Sequence, residues 1–447
     1  MSEQLMGVFE KMEDAVDAAY KAYEELSENF STEERQSFID AIKEEALKVV
    51  NEETKAEFEE TGYGRLEEKL VKNYGSIAEN PGVESLHHKV MASGKGVTLE
   101  FAAPVGLVGA LTPVTNGLVT VACNTMSMLA AGNTIVFNPH PAGKHAAAKT
   151  VDMINRAVME KGGPANVCTC IYNPTKESLK VIMDSPKVSL MIGTGGPGMV
   201  ATLMAGNKKV VAAGPGNVPV VVDETADVVA AAKTLYNFVP FENNMLCITE
   251  KVAFVVESAY DTFIKTMVEC GARLLTPEEG EKVTARMIRK NDHGGYDPDK
   301  KFVGKDANVV LEEAGIEVDK SIDLKLAIIE CQMGDPYVMC EQLMPVFPVV
   351  KCKDADEAMA FAIEAEHGYH HSAAIWTKDL DRATKFGRRI GVTCLAMNGP
   401  TVGATGVGGT GFGSSTIATT TGEGFTTPNT FTRVRRFAMC GGAGYIG

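Results

Sequence analysis

The sequence has no long apolar run, and this absence excludes a whole class of protein. No stretch of about 18 consecutive apolar residues occurs, so we expect no membrane-spanning helix. The first residues are acidic and amphipathic instead of basic and then apolar, so no secretory signal is expected either. With 45% hydrophobic and 23% charged residues, the 447-residue chain has the composition of an ordinary soluble protein, large enough for at least two domains.

Basic clusters are scarce as well. The formal net charge is −15, and a basic group such as Arg433, Arg435 and Arg436 is short. A field of that sign repels nucleic acid, so a nucleic-acid partner is not expected. It also repels anionic ligands at long range, so phosphate groups would have to be held by backbone N–H groups and helix N-termini.

The cysteines lack the spacing of a metal site or of a disulfide framework. All ten are scattered through the chain, which is the pattern of a reduced, cytosolic protein. Cys168 and Cys170 would need two further ligands to hold a metal, and no C-x-x-C pair supplies them. We therefore expect no metal site.

The hydrophobic pattern predicts helices first, and then strands that alternate with helices. Apolar residues from Leu5 to Leu26 recur at helical spacing, which predicts one helix across that segment. Farther along, the alternation predicts parallel sheets covered on both faces, which bind ligands beyond the carboxyl ends of their strands. The predicted strands include Gly106–Thr112, Asn133–Asn138, Val167–Tyr172, Val188–Ile192, Lys209–Ala213, Val218–Asp223 and Val252–Val256.

Two segments fall outside this alternation. Two extended runs in His88–Ala103 flank Gly94-Lys95-Gly96, which predicts a β-hairpin. A lone hairpin is marginal in water, so we expect it to pair with another segment or another subunit. Asp292–Lys305 is polar and rich in glycine, and is predicted to be a loop or a small insertion.

Three places carry residues suited to binding or chemistry. The glycines after Thr194, in TGGPG, could admit a phosphate at a helix N-terminus, or could simply form a strand–helix turn. Asn116 follows a predicted strand, and its amide could donate to an oxyanion or cap the next helix. Cys247, in FENNMLCITEK (Phe241–Lys251), stands between a helical run and a strand, where a thiol can project into a cleft, although nine other cysteines compete for a nucleophilic role.

Six motifs occur together in an order that resembles the aldehyde dehydrogenase superfamily. They are LTPVTN, GNTIVFNPHP (Gly132–Pro141), TGGPG, AAGPGNVPVVVD (Ala212–Asp223), NNMLCITEK and EQLMPVFPVV (Glu341–Val350). The chain is most similar to the CoA-acylating branch, the acetaldehyde and propionaldehyde dehydrogenases of ethanolamine- and diol-utilisation microcompartments. The resemblance covers essentially the whole chain.

The resemblance implies a role for each matched position. Cys247 is implied to be the nucleophile, its thiolate favoured by a helix N-terminus or by the nicotinamide, and Asn116 the amide that forms an oxyanion hole with the Cys247 N–H. Glu341 is implied to hold the nicotinamide ribose, a surface ion pair being the alternative. NAD is expected more than NADP, and the other implied cofactor-binding positions are Thr112, Pro113, Asn138, His140, Pro141, Thr194, Gly195, Gly196 and Gly214.

One segment departs from the hydrolytic members of the superfamily. These carry a Glu-Leu-Gly-Gly segment whose glutamate activates water, whereas Ala213–Gly216 (AGPG) holds no carboxylate. Without a base, water attacks a thioester slowly, and a CoA thiol is the better nucleophile, so the departure favours thiolysis. His371 resembles a histidine of acylating relatives and is a candidate base, with a buried polar histidine as the alternative.

The expected protein is therefore α/β, with an aldehyde dehydrogenase-like fold: two Rossmann-like α/β domains and a β-hairpin oligomerisation arm. Residues 1–86 and 104–217 are expected to bind NAD(H), 218–427 to form the catalytic domain, and 87–103 with 428–447 to form the arm. The expected reaction is NAD-dependent oxidation of acetaldehyde or propionaldehyde with coenzyme A, through a Cys247 thioester. A hydrolytic aldehyde dehydrogenase and a non-catalytic microcompartment scaffold are the alternatives.

The resemblance also implies partners and a location. A homodimer or homotetramer is expected, with the hairpin and the extended run Asn429–Met439 as bridging arms. The protein is expected in the cytoplasm, inside a bacterial microcompartment, with shell or cargo proteins as further partners.

Overall fold

The structure, a computed structural model, describes residues 5–292 and 294–447 and divides into two compact units. The first unit consists of Met1–Thr61, Leu70–Ala213 and Gly413–Gly447, and the second of Gly62–Lys69 and Gly214–Phe412. Relative to the domains expected from the sequence, 62–69 and 214–217 join the second unit and 413–427 the first. No helix in the described residues combines the length and the apolar character needed to cross a membrane.

The first unit contains a six-stranded parallel sheet with helices around it. Its strands lie in the order β1-β6-β5-β4-β7-β8, and each neighbouring pair is parallel. Up to residue 213 the elements are β1 (Val8–Phe9), α1 (Met12–Asn29), α2 (Thr32–Thr61), α3 (Leu66–Ala78), β2 (Lys89–Ser93), β3 (Gly96–Pro104), β4 (Leu107–Leu111), α4 (Gly117–Ala130), β5 (Thr134–Asn138), α5 (Lys144–Glu160), β6 (Cys168–Ile171), α6 (Lys176–Asp184), β7 (Val188–Thr194), α7 (Pro197–Met204) and β8 (Lys209–Ala213).

The chain reverses direction across this sheet beside β4. It runs outward from β4 through β5 to β6, and then returns to β7 on the other side of β4. Leu111, at the end of β4, is in register with both Asn138 and Gly193. The carboxyl ends of β5, β4 and β7 therefore lie side by side at a topological switch point, where sheets of this kind bind ligands.

The second unit contains a seven-stranded parallel sheet in the order β11-β14-β15-β10-β9-β16-β17. The side chains of β9 and β10 are all buried, as expected where helices cover both faces of a parallel sheet. The elements are β9 (Pro219–Val222), α8 (Val228–Phe238), β10 (Val252–Val256), α9 (Glu257–Glu269), β11 (Arg273–Leu274), α10 (Pro277–Met287), β12 (Ile288–Lys290), β13 (Tyr296–Pro298), α11 (Ala307–Glu313), β14 (Ala327–Cys331), β15 (Val346–Cys352), α12 (Ala355–Ala365), β16 (Ser372–Trp376), α13 (Leu380–Ile390) and β17 (Cys394–Met397).

The C-terminal segment returns to the first unit and completes a three-stranded antiparallel sheet. It contains β18 (Ile417–Ala418), β19 (Gly424–Phe425) and β20 (Thr432–Cys440). The predicted hairpin is formed by β2 and β3, and β20 pairs with β3 along its length, from Thr432 with Pro104 to Cys440 with Gly96. The partner that the hairpin was expected to need is therefore the end of the same chain.

The structure corrects one local prediction and decides between the two alternatives of another. The predicted first helix from Leu5 instead begins at Met12, because Val8–Phe9 forms an edge strand that pairs with β6. Asp292–Lys305 is not wholly a loop, because Tyr296–Pro298 pairs with Ile288–Lys290 as a short antiparallel ribbon; position 293 lies outside the described residues. In both places backbone pairing with a distant or neighbouring strand outweighs the local residue pattern.

Candidate functional site

The backbone that leads to Cys247 follows a left-handed path. After α8 a 3-10 turn covers Phe241–Asn244, in which Glu242, Asn243 and Asn244 have φ angles of 49°, 56° and 63°. Asparagine tolerates this region, but such backbone costs on the order of 1–3 kcal/mol for each residue and persists only where the surroundings enforce it. The segment must therefore be held by its contacts.

Buried polar contacts provide that restraint. The Glu242 backbone N–H donates to Glu68 Oε2 at 2.6 Å, and the Glu242 carboxylate lies 3.2 Å from the buried Lys69 Nζ. Asn243 Nδ2 donates to Asp306 Oδ1 at 2.9 Å. These contacts fix the direction in which the chain enters the turn that carries the thiol.

Cys247 lies at the second position of a tight turn, not at a helix N-terminus as one expectation had it. The Thr249 N–H donates to Leu246 O at 3.1 Å, which closes the turn, and β10 follows. The backbone N–H groups of Cys247 and Ile248 interact with the sulfur and favour its ionised form. The local stabilisation of a thiolate therefore comes from a turn instead of a helix.

Accessibility separates Cys247 from most of the other cysteines. Seven of the ten are buried, Cys247 and Cys270 are half-buried, and Cys440 is exposed. Cys270 follows the last residue of α9, and Cys440 ends β20. Cys247 is thus accessible, and it lies in a turn whose preceding residues are held by buried polar contacts.

Lys251 is buried against the same turn. Its Nζ donates to Asn244 O at 2.7 Å, to Asn244 Oδ1 at 2.8 Å, to Leu246 O at 2.8 Å and to Thr249 Oγ1 at 3.3 Å. Burial lowers the pKa of Lys251 to about 8, while the negative charges of Glu341 and other neighbours oppose that shift. The Lys251 side chain is therefore protonated in most protein molecules at neutral pH.

Two charged groups shift the pKa of the Cys247 thiol in opposite directions. Burial and, to a smaller extent, the Glu341 carboxylate raise this pKa to about 12, whereas the Lys251 ammonium acts to lower it. Glu341 is half-buried, and burial raises its own pKa to about 7, against the effects of Lys251 and of the Gly216 N–H. Within residues 5–292 and 294–447 Glu341 makes no ion pair, so the surface ion-pair alternative is wrong.

His371 is buried beside the turn. A Cβ added at Gly216 would lie 2.7 Å from Cys247 O and 2.8 Å from His371 Cγ, so only glycine allows these groups their present separation. His371 Nδ1 lies 2.9 Å from Ser372 Oγ, while Nε2 is buried without a hydrogen-bond partner among the described residues. Burial and, to a smaller extent, the Lys251 charge lower the pKa of His371 to about 3, so the ring is neutral and accepts a proton only weakly.

Further buried groups tie the turn to distant segments of the second unit. Glu250 Oε1 accepts a hydrogen bond from the Thr401 N–H at 2.8 Å, and Thr401 Oγ1 donates to Ile248 O at 2.5 Å. Gln342 Nε2 donates to Lys251 O at 2.8 Å. The residues after Cys247 are therefore held as firmly as those before it.

In the first unit, Asn116 precedes α4 without capping it. The Leu118 N–H donates to Glu57 Oε1 at 3.0 Å, and the Asn116 side chain makes no capping bond. The helix-cap alternative for Asn116 is therefore wrong. Asn116 Oδ1 accepts a hydrogen bond from Lys72 Nζ, and Nδ2 has Thr115 Oγ1 at 3.4 Å, so the amide is oriented by its oxygen and keeps an N–H able to donate.

The cofactor-binding positions expected in this unit lie at neighbouring strand ends. They are Thr112 and Pro113 after β4, Asn138 at the end of β5, His140 and Pro141 beyond it, and Thr194, Gly195 and Gly196 at the end of β7. Asn138 Oδ1 accepts a hydrogen bond from Ser178 Oγ at 2.5 Å, so this amide shapes the strand end. Gly214 belongs to the second unit and is buried.

The turn after β7 has the features of a phosphate site. Gly196 is the N-cap of α7 and supplies no side-chain cap, and a Cβ added there would meet nothing within 4 Å. Thr194 Oγ1 is buried and has no hydrogen-bond partner in the part of the chain that the structure describes. An open helix N-terminus with an unused hydroxyl suits the pyrophosphate of a dinucleotide such as NAD.

Comparison with known proteins identifies the family. Residues 6–435 match the aldehyde dehydrogenase family. The chain belongs to the aldehyde dehydrogenase family. This aldehyde dehydrogenase is 37% identical over 437 residues to the propanal dehydrogenase (CoA-propanoylating) of Salmonella typhimurium, a match that covers 98% of this chain and 92% of the relative.

Solved structures agree with this match, which confirms the aldehyde dehydrogenase-like α/β fold. A propionaldehyde dehydrogenase from the Clostridium phytofermentans fucose utilisation bacterial microcompartment superposes with a TM-score of 0.93 at 36% identity, over 97% of this aldehyde dehydrogenase and 98% of that chain. Rhodopseudomonas palustris propionaldehyde dehydrogenase, with bound CoA and an acylated cysteine, has a TM-score of 0.92 at 35% identity. This match covers 97% of this aldehyde dehydrogenase and 98% of that chain.

Sequence reasoning missed the groups that surround the thiol of this aldehyde dehydrogenase. Glu250 and Lys251 lie in the recognised motif NNMLCITEK, directly before a buried strand. A charged pair at that position could have indicated buried charges near the thiol. Thr401 is 151 residues from Glu250 in the chain, and no local pattern indicates their contact.

Proposed function

We propose that this chain oxidises a short-chain aldehyde, propionaldehyde or acetaldehyde, with NAD as hydride acceptor, and transfers the acyl group to coenzyme A. The relatives named above act on propanal or propionaldehyde, and one of them holds CoA and an acylated cysteine. They support the acylating reaction over release of a free acid.

One observation carries the proposal. A half-buried thiol at Cys247 is presented by a restrained turn, and Ala213–Gly216, the segment that corresponds to the Glu-Leu-Gly-Gly of hydrolytic enzymes, holds no carboxylate. Gly216 lies against the Cys247 carbonyl, so this segment borders the turn itself. A thioester formed there lacks the base that water needs, whereas a thiol such as CoA attacks it more readily.

Cys247 and Asn116 are the residues proposed to act on the aldehyde. The Cys247 sulfur attacks the aldehyde carbon, and the Asn116 amide donates a hydrogen bond to the oxyanion of the thiohemiacetal. Bound NAD would accept the hydride, which leaves an acyl thioester on Cys247. Attack by the CoA sulfur then releases acyl-CoA and restores the Cys247 thiol.

The cofactor is proposed to lie along the strand ends of the first unit. Support comes from the open N-terminus of α7 and from the unused Thr194 hydroxyl, which suit a pyrophosphate. Glu341 is proposed to hold the nicotinamide ribose hydroxyls. His371 is proposed as an acceptor for the CoA thiol proton through its unpaired Nε2, although its low pKa makes it a weak one.

The sheet β2-β3-β20 is proposed as the contact between subunits of a homodimer or homotetramer. By register, Val90 and Phe437 both lie opposite Leu99 and so share one face, and they are 67% and 57% exposed. Phe101, two residues along β3, lies on the same face and is 41% exposed. Exposed apolar side chains on one face favour a protein partner.

The proposed location is the interior of a bacterial microcompartment in the cytoplasm, together with shell or cargo proteins. Support comes from the similar propionaldehyde dehydrogenase, which belongs to the fucose utilisation bacterial microcompartment of Clostridium phytofermentans.

Coenzyme A dependence tests the proposed reaction. Steady-state NADH formation from propionaldehyde should be sustained with CoA, and without it should fall to about one turnover per active subunit, because the acyl-enzyme accumulates when water attacks slowly. The measurement compares acetaldehyde, propionaldehyde and butyraldehyde, each with NAD and with NADP, by absorbance and by chromatography of acyl-CoA.

Formation of a free carboxylic acid distinguishes a hydrolytic enzyme from an acylating one in this experiment. Equal NADH rates with and without CoA, accompanied by stoichiometric carboxylic acid, would show a hydrolytic enzyme. No aldehyde-dependent reduction of either cofactor would favour a non-catalytic chain.

A further inference from the structure

Lys251 is a buried ammonium whose hydrogen bonds all go to uncharged oxygens. The side chain is fully buried, and the acceptors of Nζ are two backbone carbonyls, an amide oxygen and a hydroxyl. No carboxylate oxygen lies within 4.0 Å of this nitrogen in residues 5–292 and 294–447. Because buried charges are normally paired, a lysine in this state holds a positive charge without a contacting counter-ion.

The place of this charge is defined by the turn around the thiol. Nζ bonds the carbonyl of Leu246, directly before Cys247, and the hydroxyl of Thr249, two residues after it. The ammonium thus joins both ends of the Leu246–Thr249 turn whose second residue is Cys247. A negative charge formed on that sulfur would lie close to the one ammonium bound to its own turn.

The contrast with the other lysine of this region supports a distinct role. Lys69, also buried, lies 3.2 Å from the Glu242 carboxylate, so its charge is already neutralised by a contacting partner. Among the described residues Lys251 has no such partner, and its hydrogen bonds go to uncharged oxygens. The fold therefore pairs one buried lysine with a carboxylate and leaves the other beside a thiol.

We propose that Lys251 is a positioning residue for Cys247 and supplies the positive charge that stabilises the Cys247 thiolate. When the S–H bond breaks, the proton passes to solvent and the sulfur keeps the electron pair, so that ammonium and thiolate together are neutral. Because this role presupposes Cys247 as the nucleophile, it rests on the proposed function. The missing glutamate at Ala213–Gly216 is then not needed for forming the thiolate, since a fixed cation assists that step.

Other titratable groups around this pair modify the effect. Glu341 raises the pKa of Cys247, and Lys251 opposes it. Glu250, buried on the chain directly before Lys251, favours the protonated lysine, as do Glu341 and the thiolate. His371 stays neutral, because burial and the Lys251 charge both lower its pKa. The two carboxylates and the ammonium are therefore the charges that decide how the thiol titrates.

Alkylation of Cys247 against pH tests this role in the free protein, with no aldehyde, cofactor or CoA present. The rate of modification by iodoacetamide, followed at the Cys247 peptide by mass spectrometry, reports the thiolate fraction. At pH 7, where Lys251 is charged, Lys251→Met should lower the alkylation rate by about 10- to 100-fold, since a nearby opposite charge lowers the pKa of a thiol by about one to two units. Lys251→Arg should retain a rate close to the original, and Glu341→Gln should raise the rate.

The opposite signs distinguish an electrostatic role from mere disturbance of a buried turn. Lys251→Met removes a positive charge and Glu341→Gln removes a negative one, and a structural effect has no reason to change the two alkylation rates in opposite directions. If Lys251→Met does not fold, judged by circular dichroism, Lys251→Gln carries the test, because it lacks the charge but retains N–H donors for the turn.

An unchanged alkylation rate at pH 7 in the folded neutral variant, or rate changes of the same sign in Lys251→Met and Glu341→Gln, would overturn the role of Lys251. The result is independent of the overall reaction, because alkylation reports the thiol itself even if acyl transfer to CoA is not observed.

Discussion

Cys247→Ala is expected to abolish acyl-CoA formation, with a loss of at least about 10³-fold in kcat, because no covalent intermediate can form without the nucleophile. NAD binding should be nearly unchanged, since the residues proposed to hold its pyrophosphate lie at the strand ends of the first unit. The measurements are acyl-CoA production by chromatography and NAD affinity by fluorescence or calorimetry.

Cys270→Ala is the matched control. Cys270 is the other half-buried thiol of the second unit, and it lies at the end of α9, away from the Leu246–Thr249 turn in the chain. Its replacement should leave kcat within about twofold of the original, as for a substitution outside a catalytic group. Substantial turnover by Cys247→Ala, or an equal loss in Cys270→Ala, would contradict the assignment of the nucleophile.

Asn116→Ala is expected to reduce kcat by about 10²–10³-fold, or about 2.7–4 kcal/mol, which is the typical effect of removing one oxyanion donor. The KM for the aldehyde should change little, since the hydrogen bond strengthens as charge develops on the oxygen. Steady-state kinetics with saturating NAD and CoA give both constants.

Two neighbouring variants show whether the loss is specific to the amide. Thr115→Val removes the hydroxyl that lies 3.4 Å from Asn116 Nδ2 and should have a small effect. Lys72→Met removes the ammonium that binds Asn116 Oδ1, so the amide should lose its fixed orientation and the loss in kcat should be intermediate. A loss below about tenfold in Asn116→Ala would exclude this oxyanion donor.

The sheets could be predicted from the sequence because their strands are covered on both faces. Val252–Val256 and Lys209–Ala213 were predicted with the bounds that the structure has, since a continuous apolar run between turn signals defines such a strand. The edge strand Val8–Phe9 was not predicted, because its backbone pairing with β6 depends on a segment about 160 residues away in the chain.

The site residues that lie in family motifs could be predicted from the sequence. The residues that depend on contacts between distant segments could not. Cys247 and Asn116 followed from the family motifs and from their places after a helical run and a strand. Whether Asn116 caps α4 could not be decided locally, because the competing acceptor, Glu57, comes from α2. The charge on Lys251 and its lack of a contacting carboxylate depend likewise on packing that no spacing rule gives.

The central claim is that an acyl group on Cys247 is released by CoA and not by water. The most direct test is to mix the protein with propionaldehyde and NAD in the absence of CoA, quench, and locate the acyl group by peptide mass spectrometry. We expect one propionyl group on the peptide that contains Cys247, stable until CoA is added and then recovered as propionyl-CoA. Acylation of another cysteine, or rapid release of propionate before CoA is added, would contradict the claim.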